Sequence, residues 1–150
     1  MNFIKLEKKY IDEIYDLQIF HAHEFGNNIW SKKELLDLLK KKELFSLICL
    51  SDKKISAFSI FLESNHILDV YSLFVLPKYR NKGIASSMIN SVIRHCKRNS
   101  INKIILEVNE KNIKAINFYK KKAFIKVGRR KNYYELGGNF YDAILMEIII

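Results

Sequence analysis

Residues 75–89 read VLPKYRNKGIASSMI, and the fold turns on how this stretch is parsed. An apolar run closed by Pro77 leads into Arg80, Asn81, Lys82 and Gly83, and a helix-periodic segment follows. The first N–H groups of a helix have no partner and carry partial positive charge, so an acidic cap is the usual solution. Here two cations, an Asn and a Gly stand in its place. A bound phosphate would supply the missing negative charge. Gly83 would let the backbone approach it, and Ala85, Ser86 and Ser87 keep the neighbouring side chains small. The spacing fits neither GxxxxGK[ST] nor GxGxxG, which argues against a P-loop NTPase and a dinucleotide fold. On these residues alone, an ordinary Gly-containing loop before a helix is an equally good account.

Upstream, HILDVYSLFVLP (His66 to Pro77) is apolar on both faces in its second half, as a strand covered on two sides would be. Downstream, Ile84, Met88, Ile89, Val92, Ile93 and Cys96 share one helical face, predicting about four turns. NKIILEV (Asn102 to Val108) then reads as a strand. Strand, crossover helix and strand in this order predict a parallel pair with helices packed on the sheet. A second helix NIKAINFYKKKA, a strand FIKVGR and a final strand FYDAILMEIII follow. Towards the N-terminus, NFIKL (Asn2 to Leu6) reads as a first strand, and Ile11, Ile14, Tyr15, Leu17 and Gln18 have helical spacing. Ser31 with Glu34 forms a capping box ahead of LLDLL, after an irregular loop HAHEFGNNIW. LFSLICL (Leu44 to Leu50) and ISAFSIFL (Ile55 to Leu62) read as a hairpin. The predicted order is β, α, α, β, β, β, α, β, α, β, β, with no repeat and no linker.

A chain of 150 residues with 49% hydrophobic content fits one globular domain around a single core. No apolar run reaches the roughly 18 residues that span a bilayer, and the N-terminal segment lacks the apolar core of a signal peptide. A cytoplasmic protein is expected. Cys49 and Cys96 form no CxxC and read as two buried, reduced thiols. The formal charge of +10 raises the question of an anionic partner. Runs such as Lys40 to Lys42 and Lys120 to Lys122, however, suit the C-terminal ends of helices. His21 and His23 diverge on a helix and Glu24 brings no third ligand with them, so no metal is expected. Arg129 and Arg130 with Tyr133 and Tyr134 could in principle stack on RNA bases.

The residues also carry a resemblance. VLPKYRNKGIASSMI resembles the acetyl-CoA-binding motif R/Q-x-x-G-x-G/A of the GCN5-related N-acetyltransferase (GNAT) superfamily, here Arg80-Asn81-Lys82-Gly83-Ile84-Ala85. LEVNEKNIKAINFYKKKAF is similar to that superfamily's next motif, and FGNNIWS, GRRKNYYE and DAILMEI resemble its RimI-like branch. The resemblance implies an α/β GNAT fold over residues 1–150: a mixed, mostly antiparallel sheet, helices on both faces, and a splayed parallel strand pair that binds CoA. It implies Glu107 as general base and Tyr119 as general acid. Acetyl-CoA would be the cosubstrate. The backbone of Leu73, Phe74 and Val75 would meet its pantetheine arm and supply an oxyanion donor. Arg80, Asn81, Lys82, Gly83, Ile84, Ala85 and Ser86 would cradle the pyrophosphate, with Asn112 hydrogen-bonding nearby. Trp30, Tyr133 and Tyr134 would shape the acceptor side, joined by Phe140 and Tyr141.

The branch acts on the N-terminal α-amino group of a ribosomal protein, so the implied partner is a protein N-terminus. Neither nucleic acid nor membrane is required, and a monomer or weak dimer is implied. Taken without the motif, Glu107 could equally be a strand carboxylate paired with a neighbouring Lys, Tyr119 a core aromatic, and Asn112 a helix N-cap. Ala85 stands where a second Gly is commoner, Ala123 where Gly is usual, and EFGNNIW is longer than the family's FPW. These departures bear on substrate more than on reaction. A small-molecule amine or a lysine side chain is the alternative acceptor, and a noncatalytic, ribosome- or RNA-associated module is the alternative class.

Overall fold

The computed structural model describes residues 1–26 and 28–150; Asn27, inside the loop flagged above, lies outside the described residues. Six strands form one sheet: β1 (Leu44–Ser51), β2 (Lys54–Ser64), β3 (Ile67–Val75), β4 (Lys103–Asn109), β5 (Ile125–Leu136) and β6 (Asn139–Ile149), in spatial order β1-β2-β3-β4-β6-β5. Every neighbouring pair is antiparallel except β3 and β4. Three two-residue turns make the hairpins, with both central residues at positive φ: Asp52 and Lys53, Asn65 and His66, Gly137 and Gly138. That geometry matches the twist of the strands it joins.

Several expectations change, among them the irregular loop HAHEFGNNIW, in which residues Ala22–Phe25 form a helical turn. The segment around Ile4 makes a single bridge to Ile48 rather than a strand. Its next ladder donor, the Leu6 N–H, is taken by the Ser46 hydroxyl at 2.9 Å, and a 3-10 turn begins at Lys8. Strand β5 in turn runs well past Arg129, so NYYE lies inside it rather than after it.

The helices are α1 (Ile11–Phe20), α2 (Ala22–Phe25), α3 (Lys32–Leu38), α4 (Ile84–Arg98) and α5 (Ile113–Lys121). They cover both faces, so the single core expected from length is two. Ile11 and Ile14 of α1 with Leu35 and Leu38 of α3 pack on Ile48, Phe58, Ile60 and Phe74. Met88, Ile89, Val92 and Cys96 of α4, with Tyr119 of α5, pack on Leu47, Ala57, Phe61, Leu68, Val75 and Leu106 on the other side. Cys49 and Cys96 are buried thiols, as expected. Among the described residues no helix is long and apolar enough to cross a membrane.

Strand β3 belongs to both cores through a register shift. Ile60 pairs with Ser72 while Phe61 pairs with Val70, which leaves Tyr71 as an extra residue. Side chains alternate faces along a strand, so one extra residue reverses the assignment beyond it. Leu68 and Val70 therefore face α4, and so do Leu73 and Val75, while Phe74 faces α1 and α3. The same bulge ends the parallel pairing. β3 and β4 are in register only from Ile67 with Lys103 to Val70 with Leu106. Past that point the strands diverge.

Candidate active site

The divergence opens three connected spaces. The first, a cavity of about 500 Å³, lies against α4 and is walled by Leu73, Phe74, Val75, Arg80, Asn81, Gly83, Ile84, Ala85, Ser86, Asn112 and Tyr119, among others. Asn81 and Gly83 have φ of 60° and 79°, a left-handed turn that delivers the chain into α4. Among the described residues no side chain caps this helix, and its first turn holds no acid. The first intrahelical donor is the Ser87 N–H, bonding the Gly83 carbonyl at 2.9 Å, which leaves the amides of Ile84, Ala85 and Ser86 as the helix's orphan donors. A Cβ built on Gly83 would meet no atom within 4 Å, so room exists beside these amides. Arg80 is held at their edge, its Nε donating to the Val75 carbonyl at 2.8 Å. An orphaned set of amides, a fixed guanidinium and open space fit a pyrophosphate. Lys82 differs from expectation: it is not among the cavity's walls, and its ammonium sits 5.4 Å from the Tyr79 ring centre.

The second space is the cleft between the diverging strands, about 180 Å³, walled by residues 70–74 and 106–109 with Tyr119 and Tyr134. Asn112 lines this cleft too and is also an N-cap, its Oδ1 accepting from the Ala115 N–H at 3.1 Å. Tyr119 is placed by the end of α5. The Phe124 N–H donates to the Tyr119 carbonyl and the Ala123 N–H to that of Lys120, both at 3.0 Å, a Schellman closure with Ala123 at φ 66°. Ala in that conformation costs about 1 kcal/mol relative to Gly. The closure sets Phe124 edge-on to the Tyr119 ring at 5.4 Å. Burial pushes the Tyr119 phenol well above its ordinary pKa, so it keeps its proton.

Glu107 borders the cleft and also the third space, a cavity of about 430 Å³ walled by Trp30, Glu34, Asp69, Tyr71, Arg130, Tyr133 and Tyr134, among others. Its Oε1 lies 3.0 Å from Arg130 Nη2, so the carboxylate's ionic partner is an arginine from β5 rather than a lysine. Burial raises the Asp69 carboxyl, and the neighbouring Glu107 charge adds to the effect. Burial likewise holds the Tyr133 and Tyr134 phenols above their usual range, with Glu107 the next cause. Trp30 packs against Tyr71 at 5.6 Å. Phe140 and Tyr141, expected beside these tyrosines, do not wall the cavity.

Three residues of this site escaped the sequence reading. Gln18 is fully buried in α1 and grips the Trp30 backbone: its Oε1 accepts the Trp30 N–H at 2.9 Å and its Nε2 donates to the Trp30 carbonyl at 3.1 Å. A glutamine at an apolar position of a helix was the available signal. Glu24 reaches Arg80 Nη2 at 2.6 Å and so joins the acceptor-side loop to the phosphate-side turn. It sits 3.7 Å from both His21 and His23, yet among the described residues no group of three potential ligands could hold a metal. Asp69 lies within β3 beside a cavity that no pattern in the surrounding residues marks.

Residues 11–124 match the model of the Acetyltransferase (GNAT) family. The chain is 26% identical over 141 residues to a putative ribosomal protein bS18-alanine N-acetyltransferase of Bacillus subtilis, covering 93% of this chain and 89% of that protein. Its fold is similar to the crystal structure of the ribosomal-protein-S18-alanine N-acetyltransferase from Escherichia coli, with TM-score 0.84, 22% identity and coverage of 99% and 93% of the two chains. It is similar too to the spermidine N-acetyltransferase from Vibrio cholerae, solved with CoA and spermine, with TM-score 0.82, 20% identity and coverage of 99% and 94%.

Proposed function

The chain belongs to the acetyltransferase (GNAT) family, and from that premise we propose that this N-acetyltransferase modifies the α-amino group at a protein N-terminus, of the ribosomal-protein-alanine type. The observation that carries the reading is the position of Glu107. It borders both the narrow cleft and an aromatic-walled cavity on the side away from the phosphate-binding turn. An amine entering that cavity meets a carboxylate at the cleft mouth. An α-amine, with a pKa near 8, is already partly neutral at physiological pH, whereas a lysine amine near 10.4 asks far more of a single carboxylate. The similarity to ribosomal-protein-alanine acetyltransferases supports the same choice.

Acetyl-CoA, when bound, supplies the activated acetyl thioester. The orphan amides of residues 84–86 with Arg80 would hold its pyrophosphate, and the edge of β3 beyond Val70, released from β4, would pair with its pantetheine arm. An amide of that edge would stabilise charge developing on the acetyl oxygen. Glu107 takes the proton of the attacking amine, exchanging Arg130 for it, directly or through a water. Tyr119, kept protonated by burial, gives its proton to the departing sulfur.

A second reading has its own observation: three carboxylates, Glu34, Asp69 and Glu107, wall the acceptor cavity, which would suit a polyamine. Glu34 is already engaged with Ser31 and Glu107 with Arg130, which favours an acceptor with one amine. A thiol-release assay with acetyl-CoA decides between them. Turnover on a peptide with a free N-terminal Ala, and none on the same peptide N-acetylated, is expected. Rapid turnover on spermidine with none on any peptide would overturn the assignment.

A further inference from the structure

We propose that Asp142, with Arg129 and Glu110, is a positioning device for the acceptor cavity, a role that rests on the N-acetyltransferase reading but not on the identity of the amine. Arg130 pairs with Ala143 and Tyr134 with Tyr141, so residues 131–133 of β5 stand opposite Asp142 alone. Along a regular strand, consecutive side chains face opposite ways. Tyr133 and Tyr134 both wall the acceptor cavity, together with Arg130. The bulge makes this possible, and its backbone is forced into the left-handed region at Asn132, φ 52°.

Asp142 holds the bulge open from three sides. Its Oδ1 accepts the Asn132 N–H at 2.9 Å, and its Oδ2 takes Arg129 Nη1 at 2.7 Å. Its own N–H donates to Glu110 Oε1 at 3.0 Å, while the Glu110 N–H donates to the Asp142 carbonyl at 2.9 Å. Arg129 Nη1 closes the ring on Glu110 Oε2 at 3.1 Å. The network thus ties the bulge to the residue that follows β4, the strand carrying Glu107. It fixes Arg130 and the two tyrosines relative to the base without touching the acceptor.

The test separates the two Michaelis constants in Asp142→Ala and in the milder Asp142→Asn, using whichever amine the wild-type chain acetylates, N-terminal peptide or spermidine. Loss of a charged hydrogen bond should raise the acceptor KM of Asp142→Ala roughly tenfold while the acetyl-CoA KM stays within about twofold. Arg129→Lys keeps a cation between the two carboxylates and should stay within about threefold of wild type, whereas Arg129→Ala should match Asp142→Ala. Hydrogen exchange at residues 131–134 should quicken in the alanine variants and not in Arg129→Lys. An unmoved acceptor KM, two KM values rising together, or unchanged exchange at the bulge would each overturn the proposal. Turnover on spermidine alone would end the protein N-terminus reading and leave this test intact.

Discussion

At Gly83 one backbone angle joins fold to chemistry. Its φ of 79° is open to glycine and strained for a β-branched residue, and a Cβ there would point into free space rather than into the protein. Gly83→Val should therefore leave the two cores packed while shifting the turn that presents the amides of α4. An acetyl-CoA KM raised about tenfold or more, with an unchanged acceptor KM, is expected from the loss of one or two such contacts. Equal KM values in steady-state kinetics would show that the phosphates bind elsewhere. On the proposed mechanism Glu107 and Tyr119 would carry the proton transfers, each worth about 10²–10⁴-fold in rate. Glu107→Gln and Tyr119→Phe should both lose kcat on that scale, and normal kcat in either would remove that residue from the mechanism. The motifs that hold Gly83, Glu107 and Tyr119 are local, within one turn or one strand and the helix after it, so the family likeness reaches these positions, while the residues alone leave Glu107 and Tyr119 open. The partners of Gln18, Glu24 and Arg130 are not legible there, although a glutamine on an apolar helical face is itself a signal, because each partner lies 12 or more positions away and is brought near only by the folded sheet.

The elements were mostly legible and their registers were not. Hydrophobic period and turn residues placed β1 to β4 and both helices of the second half within a residue or two. The bulge at Tyr71 leaves no mark in β3 read alone, since an extra residue exists only relative to the strand it pairs with. The sequence reading therefore reached the parallel pair, and the family likeness supplied the splay, but nothing located where it begins. The loop before α3 is a similar case. Its exit is fixed by Gln18, whose two hydrogen bonds to Trp30 imitate a strand partner inside an α-helical layer. Gln18→Leu fills the space but strands the half-buried N–H and C=O of Trp30. It should cost about 1–3 kcal/mol, seen as a lower thermal midpoint, and should raise the acceptor KM as Trp30 shifts. Full stability and unchanged acceptor kinetics would show that the loop is held by its packing instead.

For the whole molecule, two cores back to back make the sheet a wall with one gap. Both buried phenols, Tyr119 and Tyr134, stand at that gap with their pKa raised, chiefly by burial. The sign of the linkage follows: below the ordinary tyrosine pKa near 10 both states keep these protons and stability is unaffected. Above it the unfolded chain releases them and the folded chain does not, so stability falls as pH rises. The slope from two such groups is about 1.4 kcal/mol per pH unit at about pH 10 and approaches about 2.7 kcal/mol per unit by about pH 11. Denaturant titrations between about pH 9 and about pH 11 should show this loss growing through about pH 10, on top of the fall that the Cys96 thiol, pushed by burial up to about 11, begins at about pH 9, and a Tyr134→Phe variant should remove about half of the tyrosine share. A slope unaffected by that change would place Tyr134 in contact with water.

The cleft where the strands part is also a ruler. Its volume of about 180 Å³ is smaller than that of either cavity it joins, about 500 Å³ and about 430 Å³. An acetyl group, the sulfur behind it and the arriving nitrogen must meet in this narrow part if Glu107 and Tyr119 are to reach them. A longer acyl chain placed there would crowd Tyr119, Tyr134 and the bulge at Tyr71, which wall the cleft. Propionyl-CoA should be used sluggishly and butyryl-CoA hardly at all. On this account the chain selects its acyl donor by the angle at which two strands part company.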